Sequence, residues 1–122
     1  MNINWNITPV PAPRMTQSDK WNTRPIVARY FAFRDEVGYL IKNTPLKEID
    51  TLNVDFYIPM PKSWSKMKRK VLINTKHKQK PDLDNLVKAL LDSIFRDGDD
   101  SQVCSIRAKK FWAENGRIEI II

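Results

Sequence analysis

Hydrophobic and polar residues alternate in two stretches of the chain, and this period of two is typical of strands that bury one face. The first stretch covers residues 2–7, where Asn alternates with Ile and Trp. The second covers residues 51–58, where Leu, Val, Phe and Ile alternate with Asn, Asp and Tyr until Pro59 ends the pattern. We therefore predict a strand at each place.

Two more strands are predicted near the C-terminus, at residues 103–112 and 117–122. Asn115 and Gly116 lie between them. This dipeptide fits the positive φ angles of a tight hairpin turn. We therefore expect the last two strands to pair with each other as an antiparallel hairpin.

Helical spacing of apolar residues predicts two main helices. Residues 26–43 form the first, which Pro45 closes, and residues 82–95 form the second, whose Leu, Val and Ile side chains make one apolar stripe. Pro81 precedes the second helix, and Asp82 can cap its exposed N–H groups. With the four strands, these helices predict a single α+β domain in which two main helices pack on a small mixed β-sheet.

The remaining segments lack a core pattern. Residues 8–25 contain four prolines among polar residues, which predicts a long loop. Residues 63–73 predict a short basic helix, and residues 74–81 predict a polar, mobile linker. The long loop carries Arg14, Lys20, Trp21 and Arg24.

The net charge of +7 is concentrated in one basic segment, residues 62–80, which contains eight Lys or Arg and no Asp or Glu. The rest of the chain holds the other 13 of the 21 basic residues and all 14 acidic ones. A basic segment of this kind attracts nucleic acid, although a solvated surface is the alternative explanation. The predicted DNA-binding residues are Lys62, Lys66, Lys68, Arg69, Lys70, Lys76, His77, Lys78 and Lys80, together with Arg14 and Arg24.

Length and cysteine content exclude several classes of protein. A chain of 122 residues is the size of one domain, and no apolar run approaches the ~20 residues that cross a bilayer. The N-terminus has no secretory signal pattern. Cys104 is the only cysteine, so it cannot form an internal disulfide, and its alternation with apolar residues predicts a core position. We therefore expect a cytoplasmic protein.

Six aspartates lie within nineteen residues, and two of them, Asp82 and Asp84, stand where the second helix begins. Two or three carboxylates can hold Mg²⁺, which activates water and neutralises charge on a phosphate. Lys88 follows Asp84 by four residues, so its ammonium lies on the same side of the helix and can assist at the phosphate. The alternative is structural, with Asp82 as a cap and Asp84 as the partner of Lys88. The six are Asp82, Asp84, Asp92, Asp97, Asp99 and Asp100.

Asp99 and Asp100 follow the other end of this helix. The two ends of this helix lie near 20 Å apart. If the helix runs antiparallel to the strand at Val103, the carboxylates at one end do not reach those at the other. A joint metal site then requires the chain after Phe95 to return to the start of its own helix, or a second subunit to supply a carboxylate there.

Other metal sites find little support in the sequence. The run from Asp97 to Asp100 lacks the alternating ligands and the final Glu of an EF-hand. His77 is the only histidine and has no Cys close by in sequence, so a zinc site is not expected, and a phosphate contact from a basic loop suits it better.

One stretch, residues 80–92, reads Lys-Pro-Asp-Leu-Asp-Asn-Leu-Val-Lys-Ala-Leu-Leu-Asp and is followed by Asp-Asp-Ser-Gln-Val at residues 99–103. Together they closely resemble the RusA family of Holliday-junction resolvases. Met-Pro-Lys-Ser-Trp-Ser at residues 60–65 and an early Pro-x-Pro extend the resemblance to nearly the whole chain. The Lys-rich insert before the first aspartate resembles phage-borne members.

The resemblance implies a mixed α/β homodimer that binds four-way DNA junctions and nicks two opposed strands during recombination or repair. It implies Mg²⁺ as the cofactor, for which Mn²⁺ can substitute. By motif, the family's catalytic, metal-binding aspartates fall on Asp82, Asp84 and Asp100, with Asp99 as the alternative to Asp100, and its functional lysine falls on Lys88. Two alternatives stay open, a nuclease for other branched DNA and a non-catalytic DNA-binding module.

Overall fold

The computed structural model describes residues 2–16 and 24–122 of the chain. Within these ranges it has four strands and three helices, which confirms the predicted α+β class. In chain order they are β1 (Asn2–Trp5), α1 (Pro25–Leu40), β2 (Thr51–Pro59), α2 (Lys66–Leu72), α3 (Leu83–Ile94), β3 (Ser105–Ala113) and β4 (Arg117–Ile121), with a single 3₁₀ turn at Leu46–Glu48. Part of the predicted long loop, including Lys20 and Trp21, lies outside the described residues.

The four strands form one mixed sheet in the order β1-β4-β2-β3. The central strand β2 pairs antiparallel with β4 and parallel with β3. In the parallel pair, Thr51 lies opposite Ser105 and Phe56 lies opposite Lys110. This register decides which β3 side chains share a face with the buried residues of β2.

The predicted hairpin of the last two strands is wrong. β3 and β4 are not neighbours, because β2 lies between them and the three residues that connect them pass the end of β2. Neither Asn115 nor Gly116 has a positive φ angle. Gly116 is needed for close packing instead, since a Cβ atom there would lie 2.6 Å from the Cα atom of Thr8. The physical reason is that the central strand β2, which buries every second residue, pairs its backbone groups on both sides, and this requirement outweighs the local preference for a tight turn.

Helices α1 and α3 cover one face of the sheet. Alternate residues of β2 are buried, and they share one hydrophobic core with the buried faces of both helices. The Tyr30 hydroxyl of α1 donates a 2.7 Å hydrogen bond to Asp92 of α3, which fixes one helix against the other. Burial and this hydrogen bond raise the pKa of Tyr30 to about 12. No helix in the described ranges is both long and apolar enough to cross a membrane.

The start of β3 is more open than the sequence predicts. Cys104 is exposed rather than part of the core, and Ile106 is 49% exposed. Both residues lie at the edge of the sheet, where β3 has a neighbouring strand on one side only. Alternation of apolar residues therefore predicts a strand here correctly but not its burial.

Residues 74–81, which we call the strap, lie along the outer edge of the second half of β3. The Asn74 N–H donates to the carbonyl of Trp112 at 2.8 Å, and the Trp112 N–H donates to the carbonyl of Thr75 at 2.9 Å. The His77 N–H donates to the carbonyl of Lys110 at 3.0 Å. The sequence predicts a mobile linker at these residues, but in the structure the strap is held by backbone hydrogen bonds and leads directly into α3.

Candidate active site

Two exposed carboxylates stand where the strap meets α3. Asp82 is the N-cap residue by backbone geometry, yet its side chain makes no capping hydrogen bond. It instead lies 3.2 Å from the ammonium of Lys80, in a surface ion pair. Asp84, in the first turn, accepts a 3.0 Å hydrogen bond from the N–H of Asn85. The helix therefore does not use the Asp82 side chain as a cap, and both carboxylates keep oxygen atoms open to solvent.

Lys88 is exposed and lies one helical turn after Asp84, as the spacing predicts. In the described part of the chain it forms no ion pair with Asp84. The ion pair between Asp84 and Lys88, which was the structural alternative to a catalytic role, is therefore not formed.

An open groove of about 440 Å³ lies beside Asp82. Its walls include Arg14 and Lys80, so two of the predicted DNA-binding residues border the same space as this carboxylate. The groove is held in place where the Ala12 N–H donates to the carbonyl of Asn85 at 2.9 Å. The other predicted arginine, Arg24, donates a 2.7 Å hydrogen bond to the carbonyl of Arg14. The structure thus brings part of the N-terminal loop to the start of α3.

Asp99 and Asp100 lie beyond the opposite end of α3. The helix has twelve residues and is about 18 Å long. The path of β3 leads to the same separation. β3 starts at Ser105, close after these aspartates, whereas Lys110, which contacts the strap, lies five residues or about 16 Å further along the strand. One chain therefore does not bring Asp82 and Asp84 together with Asp100.

The loop at the far end of α3 is ordered by its own hydrogen bonds. Asp99 accepts from both the N–H and the hydroxyl of Ser101, and these bonds lower the pKa of Asp99. The side-chain amide of Gln102 donates to the carbonyls of Lys47 and Ile49. Within residues 2–16 and 24–122, no three His, Cys, Asp or Glu side chains are close enough to hold a metal ion together.

The basic segment presents a row of exposed lysines on α2 and on the strap. Lys68 lies over the Trp64 ring, 4.2 Å from its centroid. Arg69 differs from the lysines because it is half-buried and its guanidinium donates to the carbonyl of Pro61 and to the carboxylate of Glu114. Arg69 therefore also fastens α2 to the turn after β3. The exposed members are Lys62, Lys66, Lys68, Lys70, Lys76, Lys78 and Lys80.

His77 does not lie on the basic surface. The residue is 3% exposed, its ring lies 4.1 Å from the ring of Trp112, and neither ring nitrogen has a hydrogen-bond partner. Burial, and then the ammonium of Lys110, lower the pKa of His77. A phosphate contact, which the sequence predicts for His77, does not fit this position, because both nitrogens are covered by protein.

The buried ring makes the stability of the protein depend on pH. Since the folded-state pKa of His77 is lowered, the unfolded chain binds a proton first, and stability should fall as pH decreases from about 6.5 toward the folded-state pKa. The slope for one group is at most about 1.4 kcal/mol per pH unit. His77→Phe keeps an aromatic ring and removes both unpaired nitrogens. We expect the variant to match or exceed wild-type stability at pH 7.5 and to lose less than wild type at pH 5.5, measured by urea unfolding; equal losses would assign the effect to other groups.

Lys110 is not among the residues predicted from the sequence, yet the structure places it beside the site. Its ammonium donates hydrogen bonds of 2.6 Å to the carbonyls of Gln79 and Pro81, immediately before Asp82. The one signal in the sequence is a lysine at an inward-facing position of a strand, between Ala108 and Trp112. That signal has meaning only once the register of β3 is known.

Comparison with known proteins shows a family match and a curated relative. The sequence model of a family described as "Endodeoxyribonuclease RusA" matches residues 6–122. A curated relative, "Uncharacterized protein YqaN" of Bacillus subtilis (strain 168), is 39% identical over 80 residues, which cover 59% of this chain and 55% of that protein. The chain thus spans about half the length of the curated relative that it matches.

Proposed function

The chain belongs to the RusA endodeoxyribonuclease family, and from this premise we propose that it is a Mg²⁺-dependent endonuclease that resolves four-way DNA junctions by paired nicks. The observation that carries the proposal is the pair of exposed carboxylates at the start of α3. Among the described residues, the Asp82 side chain makes no capping hydrogen bond and pairs only with Lys80 at the surface, and Asp84 forms no pair with Lys88. Both carboxylates are exposed and keep oxygen atoms open to a ligand.

The chemistry of the site matches phosphodiester hydrolysis. A bound Mg²⁺ ion supplies a nucleophilic water and neutralises charge that develops on the phosphate. Asp82 and Asp84 would hold the ion, since carboxylate oxygens are the ligands that Mg²⁺ prefers. Lys88, one turn along α3, would contribute its ammonium at the phosphate, where negative charge increases during the reaction.

DNA would reach the carboxylates across the basic surface. Arg14 borders the groove beside Asp82, and the exposed lysines of α2 and the strap continue the positive charge away from it. These side chains would bind phosphates without reading base sequence. We assign the grip on the junction arms to this surface.

A homodimer would complete each metal site. The third candidate ligand, Asp100, lies beyond the other end of α3, a helix about 18 Å long, so it does not join Asp82 and Asp84 within one chain. A two-fold axis reverses direction, so it can set the start of one α3 beside the end of the other and form two equivalent sites. We therefore propose that Asp82 and Asp84 of one subunit act with Asp100, or alternatively Asp99, of the second.

Two other functions compete with this proposal. A nuclease for other branched DNA would use the same carboxylates on a different substrate. A non-catalytic module would bind DNA through the basic surface alone, with no role for the carboxylates. The open carboxylates at the start of α3 favour an enzyme over the module.

The test is cleavage of a synthetic four-way junction, with each of the four strands labelled in turn. We expect paired nicks at matching positions in two opposed strands with Mg²⁺ or Mn²⁺, and no nicks with EDTA. A linear duplex of the same sequence and a flap substrate serve as controls. Equal cleavage of the flap would support the broader nuclease, and binding without cleavage under all metal conditions would support the module.

A further inference from the structure

Lys110 lies under the carboxylate site, on the side of the sheet that the helices cover. It is opposite Phe56 in the parallel register, and Phe56 is fully buried. The Lys110 side chain is therefore directed toward the start of α3 and not toward the open face of the sheet. Its neighbour Lys109 lies opposite Asp55 on the other face.

The contacts of Lys110 are specific. Its ammonium donates 2.6 Å hydrogen bonds to the carbonyls of Gln79 and Pro81, the residues on either side of Lys80. Such bonds from a charged donor are short and roughly twice as strong as neutral ones. An ammonium has three donors and can hold three acceptors at once. Lys110 thus fixes the last backbone groups before Asp82.

The electrostatics of Lys110 also connect it to the site. Burial lowers the pKa of this ammonium, the nearby Asp82 carboxylate opposes that shift, and Lys80 adds to it. A half-buried ammonium loses solvation, so its place there needs compensating partners. The two carbonyls and Asp82 are these partners.

We propose that Lys110 is a positioning residue of the active site, whose ammonium holds the end of the strap and thereby sets the position of the Asp82 carboxylate. This inference rests on the proposed function, because it assumes that Asp82 binds the metal ion. It assigns no contact with DNA to Lys110. The residue acts on the reaction through Asp82.

The strap shows why the effect should be local. Its first half is bonded to β3 by backbone groups of Asn74, Thr75 and His77, which a change of the Lys110 side chain leaves in place. α3 is anchored in the core by its own buried residues. Without the ammonium, only the residues just before Asp82 lose their hydrogen-bond donors, so the fold should persist while the carboxylate is less firmly placed.

The test compares Lys110→Met, which keeps the apolar stem, with Lys110→Arg, which keeps a charged donor. For Lys110→Met we expect kcat on the junction to fall by about 10–100-fold and the Kd for Mg²⁺, measured by calorimetric titration of the DNA-free protein, to rise, as is usual when a group that orients a metal ligand is removed. KM for the junction should stay within about twofold, and Lys110→Arg should recover much of the rate. Lys109→Met is the matched control and should behave as wild type.

Several outcomes would overturn the inference. They are a wild-type Mg²⁺ titration for Lys110→Met, an equal loss in Lys109→Met, or a loss confined to KM, which would indicate a DNA contact. If Lys110→Met does not fold, Lys110→Gln, which keeps a neutral donor, should show the same direction of change, and wild-type behaviour of that variant would also overturn the inference. Because wild-type cleavage is measured first, failure of the proposed function is distinguished from failure of this inference.

Discussion

Replacement of Asp84 by Asn is expected to abolish Mg²⁺-dependent junction cleavage and to leave junction binding intact. Loss of a metal ligand removes several kcal/mol of transition-state stabilisation, and about 4 kcal/mol corresponds to a rate lower by about 10³-fold. Asn has the same shape as Asp and can still accept the hydrogen bond from the N–H of Asn85. The fold should therefore be unchanged.

Binding provides the internal check for this variant. The lysines of the basic segment are untouched, and removal of one negative charge near a phosphate should make binding equal or slightly tighter. Asp97→Asn is the matched control, because Asp97 is also exposed and is not one of the proposed metal ligands. We expect its cleavage rate to equal that of wild type. Full cleavage by Asp84→Asn would refute the catalytic assignment, and loss of both activities would point to a misfolded protein.

Mixing two inactive variants is expected to restore cleavage. In a dimer whose metal sites combine Asp84 of one subunit with Asp100 of the other, the heterodimer of Asp84→Asn and Asp100→Asn has one intact site and one doubly altered site. Random pairing makes half of the dimers mixed, so the mixture should nick at about a quarter of the wild-type rate. The products should be single nicks, because each mixed dimer has one working site.

The controls for mixing separate the possible arrangements. If each metal site were built within one chain, every site would contain one substituted ligand, and the mixture would stay inactive. A mixture of Asp82→Asn with Asp84→Asn should also stay inactive, because both residues lie at the same end of α3. Asp99→Asn used in place of Asp100→Asn decides which of the two aspartates acts. A monomer by sedimentation at the assay concentration would contradict the proposal directly.

The sequence predicts local structure well where burial follows a simple period. The apolar stripe of α3 and the alternation in β2 both correspond to buried faces, and the structure confirms these elements within a residue or two. The placement of Asp82 and Asp84 at a helix start follows from the same stripe. Residues of this kind could be selected as site candidates from the sequence alone.

Features that depend on strand order could not be predicted in this way. The position of β2 between β3 and β4 depends on contacts between residues far apart in the sequence, and the local sequence at Asn115 does not indicate it. The role of Lys110 depends on the register of β3 and on the path of the strap, and the burial of His77 depends on the position of Trp112. Arg69 reads as one more cation of the basic segment until its contact with Glu114 is seen.

The chain leaves the sheet after β2 and returns to it at the start of the strap, and at both points it contacts adjacent residues of β3. The Met60 N–H donates to the carbonyl of Ala113 at 2.9 Å, and the Asn74 N–H donates to the carbonyl of Trp112 at 2.8 Å. The exposed residues among the thirteen between these two points can therefore change in charge and sequence without moving the helix that carries the carboxylates, whereas Trp64, Leu72 and Ile73 pack against the core. Under the proposed function, the surface that binds DNA could then vary among relatives while the carboxylate site stays the same.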